Sequence, residues 1–189
     1  MSQVEWARDL ARALLAEPLP HRWAHTQGVA AQAETLAPIL GDDADLLTAA
    51  AWLHDIGYSP ALATTGFHPL DGARYLRDTE HADPRLCNLV AHHSCALIEA
   101  EERGLADQLT TEFTPERDDL INALIYCDMT IGPDGQHLTI EARIADIRTR
   151  YPEDHPVTRF IHRASPALSA ATTTMKMQYE IASRPGREA

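Results

Sequence analysis

Cysteine is scarce and unpatterned in this chain. Cys87, Cys95 and Cys127 have no Cys-x-x-Cys spacing and form no even-numbered set. That disfavours a disulfide framework and a closed cysteine-zinc site, and it points to reduced thiols in a reducing compartment. Positive charge is short as well: 16 Lys and Arg stand against 28 Asp and Glu, for a formal net charge of −12. General nucleic-acid binding is therefore not expected, since it rests on a basic surface. A small phosphorylated ligand stays open, because a bound metal can supply positive charge locally. No apolar run approaches the roughly 18 residues that a membrane helix needs. The opening Met-Ser-Gln-Val-Glu-Trp has no basic stretch leading into an apolar one, so neither a secretory leader nor membrane association is expected. The expected location is the cytoplasm. Strand-like alternation, internal repeats and Pro- or Ser-rich linkers are missing too.

What the chain has is helical periodicity, 189 residues and 44% hydrophobic content, enough for one domain with a sizeable core. Residues 3–16 place Val4, Ala7, Leu10, Ala11, Leu14 and Leu15 on one stripe, ended by Pro18-Leu-Pro20. A second helix is predicted over about 21–40, stopped by Gly41. Asp42, Asp43 and Asp45 favour the start of a third, which runs through Leu53 to His54-Asp55. Residues 58–68 read as a loop able to form a rim or lid. Pro69 and Pro84 suit helix starts, for segments 69–78 and 84–93. Further helices are expected over 96–106, from Thr114 to Asp128, over 139–150, and from Pro156 to about 182, where Pro166 could kink the chain. Ser183 to Ala189 reads as a frayed tail. The expected fold is all-α, as a single domain over 1–189. Its core spans about 20–130, with C-terminal helices at about 139–182 packed on it.

Polar residues interrupt this apolar pattern at particular places. His54 and Asp55 sit at the buried end of the third helix, where unpaired charge costs several kcal/mol. His25 shares a face with Val29, Gln32 and Leu36, and Asp128 shares one with Ile121 and Leu124. His68 and the pair His92-His93 lie between them. Taken singly, His25 could be a hydrogen-bonded core histidine, and Asp128 could end a helix or pair with an Arg. Together they read as one metal centre collected from several helices. Imidazole nitrogen with carboxylate oxygen suits Mn, Fe, Co, Ni or Zn better than Ca.

His25, His54-Asp55 and Asp128, in that order and on helices, resemble the H…HD…D signature of the HD-domain superfamily of metal-dependent phosphohydrolases. The flanks Trp-Ala-His-Thr-Gln-Gly-Val-Ala (23–30) and Leu-His-Asp-Ile-Gly (53–57) are similar to those of the family, and the likeness covers roughly 20–130. It implies a compact helical fold whose ligands come from several helices. His68 in Phe-His-Pro-Leu-Asp-Gly-Ala and His92-His93 in Val-Ala-His-His-Ser resemble the extra histidines of di-metal members. The resemblance then implies two divalent transition metals per chain: His25, His54, Asp55 and Asp128 hold the first, Asp55 bridges, and His68 with His92, His93 or both holds the second. His93 lies at the centre of the stripe of Leu86, Leu89 and Val90 and His92 on its flank, so either or both remain candidates. Two departures matter. Tyr58 stands where a lysine often follows the HD-x-G element, and no Gly-Tyr-Pro follows His93, so cyclic-di-GMP cleavage is not implied.

The implied activity is hydrolysis of a phosphate ester or anhydride in a small nucleotide or phosphorylated metabolite. Two cations bridged by Asp55 would acidify a shared water and neutralise phosphoryl charge. An uncoordinated histidine of the 92–93 pair, His93 above all, could then act as general acid or base. Arg22, Arg74 or Arg77 could clamp the phosphate, and Tyr58 could contact substrate. The alternative is a di-iron oxygenase of the same superfamily acting on a small polar substrate. The apolar residues of the terminal helices could form a homodimer interface.

Overall fold

The computed structural model describes residues 1–183, and among them regular structure is helical apart from one isolated bridge between Ile131 and His137. The helix Ala44–Leu53 lies at the centre and is apolar on every side. From Leu46 to Leu53 each residue is buried, the pattern of a helix surrounded by others. In chain order the α-helices are α1 (Gln3–Leu15), α2 (Pro20–Glu34), α3 (Ala37–Leu40), α4 (Ala44–Leu53), α5 (His68–Asp78), α6 (Pro84–His92), α7 (Ala96–Arg103), α8 (Ala106–Glu112), α9 (Asp118–Met129), α10 (Ile140–Thr149) and α11 (Pro156–Ala182). Helices α1, α2, α6 and α9 pack around α4. Their buried side chains, among them Leu15, Val29, Leu47, Leu89 and Leu124, form the main core. A second apolar cluster joins α9, α10 and α11 through Ile125, Met129, Ile140, Phe160, Ile161 and Leu168.

Local chemistry explains most of these elements. Ser2 and Glu5 cap α1 reciprocally, and Asp83, Thr139 and His155 cap α6, α10 and α11. The expected helix over 21–40 is instead two, because Pro38 lacks the N–H that would continue the ladder, so α2 ends at Glu34 and α3 starts beyond it. Gly104, at φ 71°, ends α7 in a left-handed turn, and α8 follows as a separate helix. The helix expected from Thr114 begins only at Asp118. Pro166 leaves α11 continuous. Ser183 caps α11, and the rest of the expected tail, 184–189, lies outside the described residues. No helix among the described residues is long and apolar enough to cross a membrane.

Two backbone approaches set the positions of the polar residues. A Cβ on Gly57 would lie 2.0 Å from the His68 carbonyl oxygen and 2.7 Å from the Gly72 nitrogen. Only glycine therefore lets the turn after Asp55 press against the start of α5. A Cβ on Gly28 would meet Ile131 at 2.7 Å and the Gly135 carbonyl at 2.9 Å, so glycine there lets α2 close on the turn after α9.

Candidate metal centre

The helix ends deliver six side chains to one buried place. His54 and Asp55 leave the end of α4, Asp128 lies in the last turn of α9, and His25 projects from the middle of α2. His68 opens α5, and His93 follows the end of α6. They form two groups able to hold a metal ion: His25, His54 and Asp128, and Asp55, His68 and His93. Asp55 joins the groups through different oxygens. Its Oδ2 lies 3.3 Å from His54 Nε2 and 3.8 Å from His25 Nε2, and its Oδ1 lies 3.3 Å from His68 Nε2.

The orientation of three imidazoles is fixed from behind. Nδ1–H donates to a backbone carbonyl in each: His25 to Gly132 (3.1 Å), His54 to Ala51 (2.8 Å) and His93 to Val90 (2.7 Å). Nε2 of each then faces the centre as the free ligand atom, which is how ligating histidines are usually held. The Gly132 carbonyl reaches His25 because Gly28 admits the turn that carries it.

The protein's own groups leave this centre incomplete in ways a cation resolves. His54 Nε2 is buried and makes no hydrogen bond. His68 Nε2 and His93 Nε2 face each other at 3.1 Å. His25 Nε2 stands 3.0 Å from Asp128 Oδ1, although burial pushes His25 toward its neutral form, in which Nε2 has no proton to donate. Nitrogen lone pairs converging on carboxylates fit a divalent transition metal.

Charge in the site follows from burial and neighbours. Burial alone would raise the Asp55 carboxyl, but Arg22, His54 and His68 hold it well below the usual carboxylate range. Burial opposes ionisation of Asp128 too, and His25, His54 and Arg143 overcome it. Burial lowers His68 and His93 as it lowers His25. His54 goes the other way: burial would lower it, and the Asp55 and Asp128 carboxylates raise it.

Arg22 donates to Asp55 Oδ2 at 2.7 Å, and its guanidinium lies 4.1 Å over the Tyr58 ring. Tyr58 in turn stacks on His68, with centroids 3.9 Å apart. All three line an open-mouthed cavity beside the centre. Other expected residues lie elsewhere. His92 turns away, with Nε2 donating to the Phe113 carbonyl at 2.9 Å, because the residue beside a central stripe faces a neighbouring loop. His93, expected as an acid or base, has Nδ1 committed to Val90, and its Nε2 belongs to a group that could hold a metal ion. Arg74 is held by Glu112 and Gln108, and Arg77 by Asp78 and Glu112, neither lining the cavity. The 59–67 loop is no lid. Asp71 accepts from the amides of Thr64, Thr65 and Gly66 and from both threonine hydroxyls, pinning it beside α5.

Cover comes instead from residues that no sequence pattern groups. Arg143, Ile147 and Arg150 on or at the end of α10, with Tyr151, Phe160 and Ile161, also line the cavity, and Glu99 of α7 joins them. Ser94 was missed as well. It is held at φ 48°, ψ 44°, and its hydroxyl donates to Asp128 Oδ2. A non-glycine residue in that region is strained, and such strain collects at functional sites.

A comparison with curated proteins and one with solved structures gave no significant match. A family model described as HD domain matches residues 22–148, beginning at Arg22 and continuing past Asp128 through most of α10. The match takes in all six converging side chains and about two thirds of the sequence, and the chain belongs to the HD domain family.

Proposed function

We propose that this protein is a metal-dependent phosphohydrolase that cleaves a phosphate ester or anhydride of a small nucleotide or phosphorylated metabolite at a dinuclear centre. The observation that carries this is the division of six ligands into two groups joined by opposite oxygens of Asp55. His25, His54, Asp128 and Asp55 would hold one divalent cation, and Asp55, His68 and His93 the other. Bound there, the two ions would supply an acidified water and neutralise phosphoryl charge. The remaining steps fall to the chain. Carbonyl-anchored imidazoles keep the ligands in place without rearrangement, Arg22 at the cavity floor orients a phosphoryl oxygen, and Tyr58 fixes Arg22 by stacking. Three free cysteines fit a reducing cytoplasm.

The test is elemental analysis of protein purified without a His-tag or chelator, alongside phosphate release from a panel of nucleotides and phosphorylated metabolites. Two Mn, Fe, Co, Ni or Zn ions per chain with phosphate release is the expected result. Two irons without phosphate release would favour the di-iron oxygenase alternative. A chain that takes up none of these metals on titration would overturn both.

A further inference from the structure

Helix α10 carries Arg143 and Ile147, and Arg150 caps its C-terminal end, at offsets of four and seven that place all three on one face. That face lines the cavity over the metal centre. Arg143 is nearly fully buried, its side chain 5% exposed, yet its guanidinium is under-partnered. NH1 reaches Asp146 at 3.3 Å, NH2 stands 3.8 Å from Asp128 Oδ1, beyond hydrogen-bond range, and Nε has no partner. Arg150 also donates to Asp146 Oδ2. One carboxylate is thus shared by two guanidiniums, and Arg143 keeps a buried Nε–H without an acceptor. A buried donor without an acceptor costs stability.

We propose that Arg143 and Arg150 form, with Arg22 opposite, a guanidinium cradle for the phosphoryl oxygens of a phosphomonoester substrate, placed on the Asp128 side of the centre. This rests on the phosphohydrolase reading for its reaction, but the anion site itself does not. A planar guanidinium presents its N–H groups as a fork that suits tetrahedral oxyanions. Ile147, Phe160 and Ile161 continue the same wall as an apolar surface, along which the esterified group lies. The segment after Asp128 therefore supplies substrate recognition, a role the sequence had pointed to Arg74 for.

The experiment measures the affinity of inorganic phosphate by calorimetry, on the metal-loaded and the metal-free protein, with metal content as a second readout. Arg143→Gln should weaken phosphate about ten- to a hundredfold, as expected for losing charge-assisted hydrogen bonds. Arg150→Gln, at the rim, should weaken it about threefold to tenfold. Both should leave the metal content unchanged, and Arg163→Gln, on the outer surface, should change nothing. If Arg143→Gln fails to fold, Arg143→Lys, which keeps the charge and loses the fork, takes its place with Arg150→Gln. Unchanged phosphate affinity in the folded variants would overturn the cradle while leaving the metal reading intact. Conversely, arginine-dependent phosphate binding by a parent protein that takes up no metal would keep the cradle and overturn the hydrolase.

Discussion

The two apolar clusters of this molecule hold their polar residues by different means. Around α4 the ligand groups are fixed by the backbone. Three histidines donate to carbonyls, and glycine contacts at Gly57 and Gly28 bring the carrying segments together. Around α10 and α11 the cavity wall is held by side chains alone, by Ile140, Phe160, Ile161 and Leu168 packed on Ile125 and Met129. Its arginines keep donors in reserve. A centre that must bind a metal the same way each time needs the first arrangement. A surface that meets a substrate can use the second.

The sharpest way to break this comparison is at the shared carboxylate. Asp55→Ala removes the atom pair that joins the two ligand groups, so both ions and all phosphate release should be lost, with α10 and α11 still folded. Metal analysis with circular dichroism checks it, and full metal content in the variant would sink the bridging role. Next in size is a pair of packing variants. Gly57→Ala forces a Cβ to within 2.0 Å of a backbone oxygen and should cost on the order of 2–3 kcal/mol, with loss of metal at the His68 group. Ile161→Ala opens a cavity in the second cluster and should cost a similar amount, about 2–4 kcal/mol. Its metal content should stay whole and its phosphate affinity should fall. If both variants lost metal equally, the two regions would not be separable.

What the sequence revealed follows the same division. The ligand half was legible because histidine and aspartate on otherwise apolar stripes are improbable unless bound or paired, and His25, His54, Asp55, His68, His93 and Asp128 all converge. The choice between His92 and His93 was not settled by sequence, since one step along a chain that turns left-handed at Ser94 and Cys95 decides it. Arg74 was a reasonable phosphate clamp on helix position alone. Glu112, thirty-eight residues away, neutralises it, and no local pattern carries that pairing. The place of Arg143 and Arg150 beside the cavity was illegible for the same reason: arginines on an amphipathic helix look like solvated surface until the helix is docked over a cavity. Pro38, inside the expected helix over 21–40, is itself a helix-breaking signal.

Smaller effects sharpen the picture at single histidines. His68→Ala should remove one ion and leave the other, whereas His92→Ala should keep both and lose only its bond to Phe113, a cost of about 1 kcal/mol in melting experiments. Two ions retained in His68→Ala would move the second group elsewhere.

The smallest expected effect is the pH dependence of the metal-free fold, and its sign can be worked out. His25, His68 and His93 are held below the ordinary 6.5 by burial. As pH falls through that value the unfolded chain takes up protons that the folded chain refuses. Protonation then favours unfolding, and stability declines. His54, raised by Asp55 and Asp128, works in the opposite direction, because its folded form accepts its proton first, and it offsets part of the loss. His92 is lowered by burial as well, and four groups against one leave a net decline on acidification below about 6.5. Asp55 and Asp128, held below their ordinary 3.8, stabilise the fold above that value and add a steeper loss only as pH falls beneath it. Bound metal should add stability that shrinks on acidification, because the imidazoles hold the ion only when deprotonated and protons compete for Nε2. Thermal melts from pH 8 to 5, with and without Mn, would show this as a gap between the two curves that narrows on acidification until the metal is displaced. Parallel curves across that range would mean that the buried histidines do not face the ion.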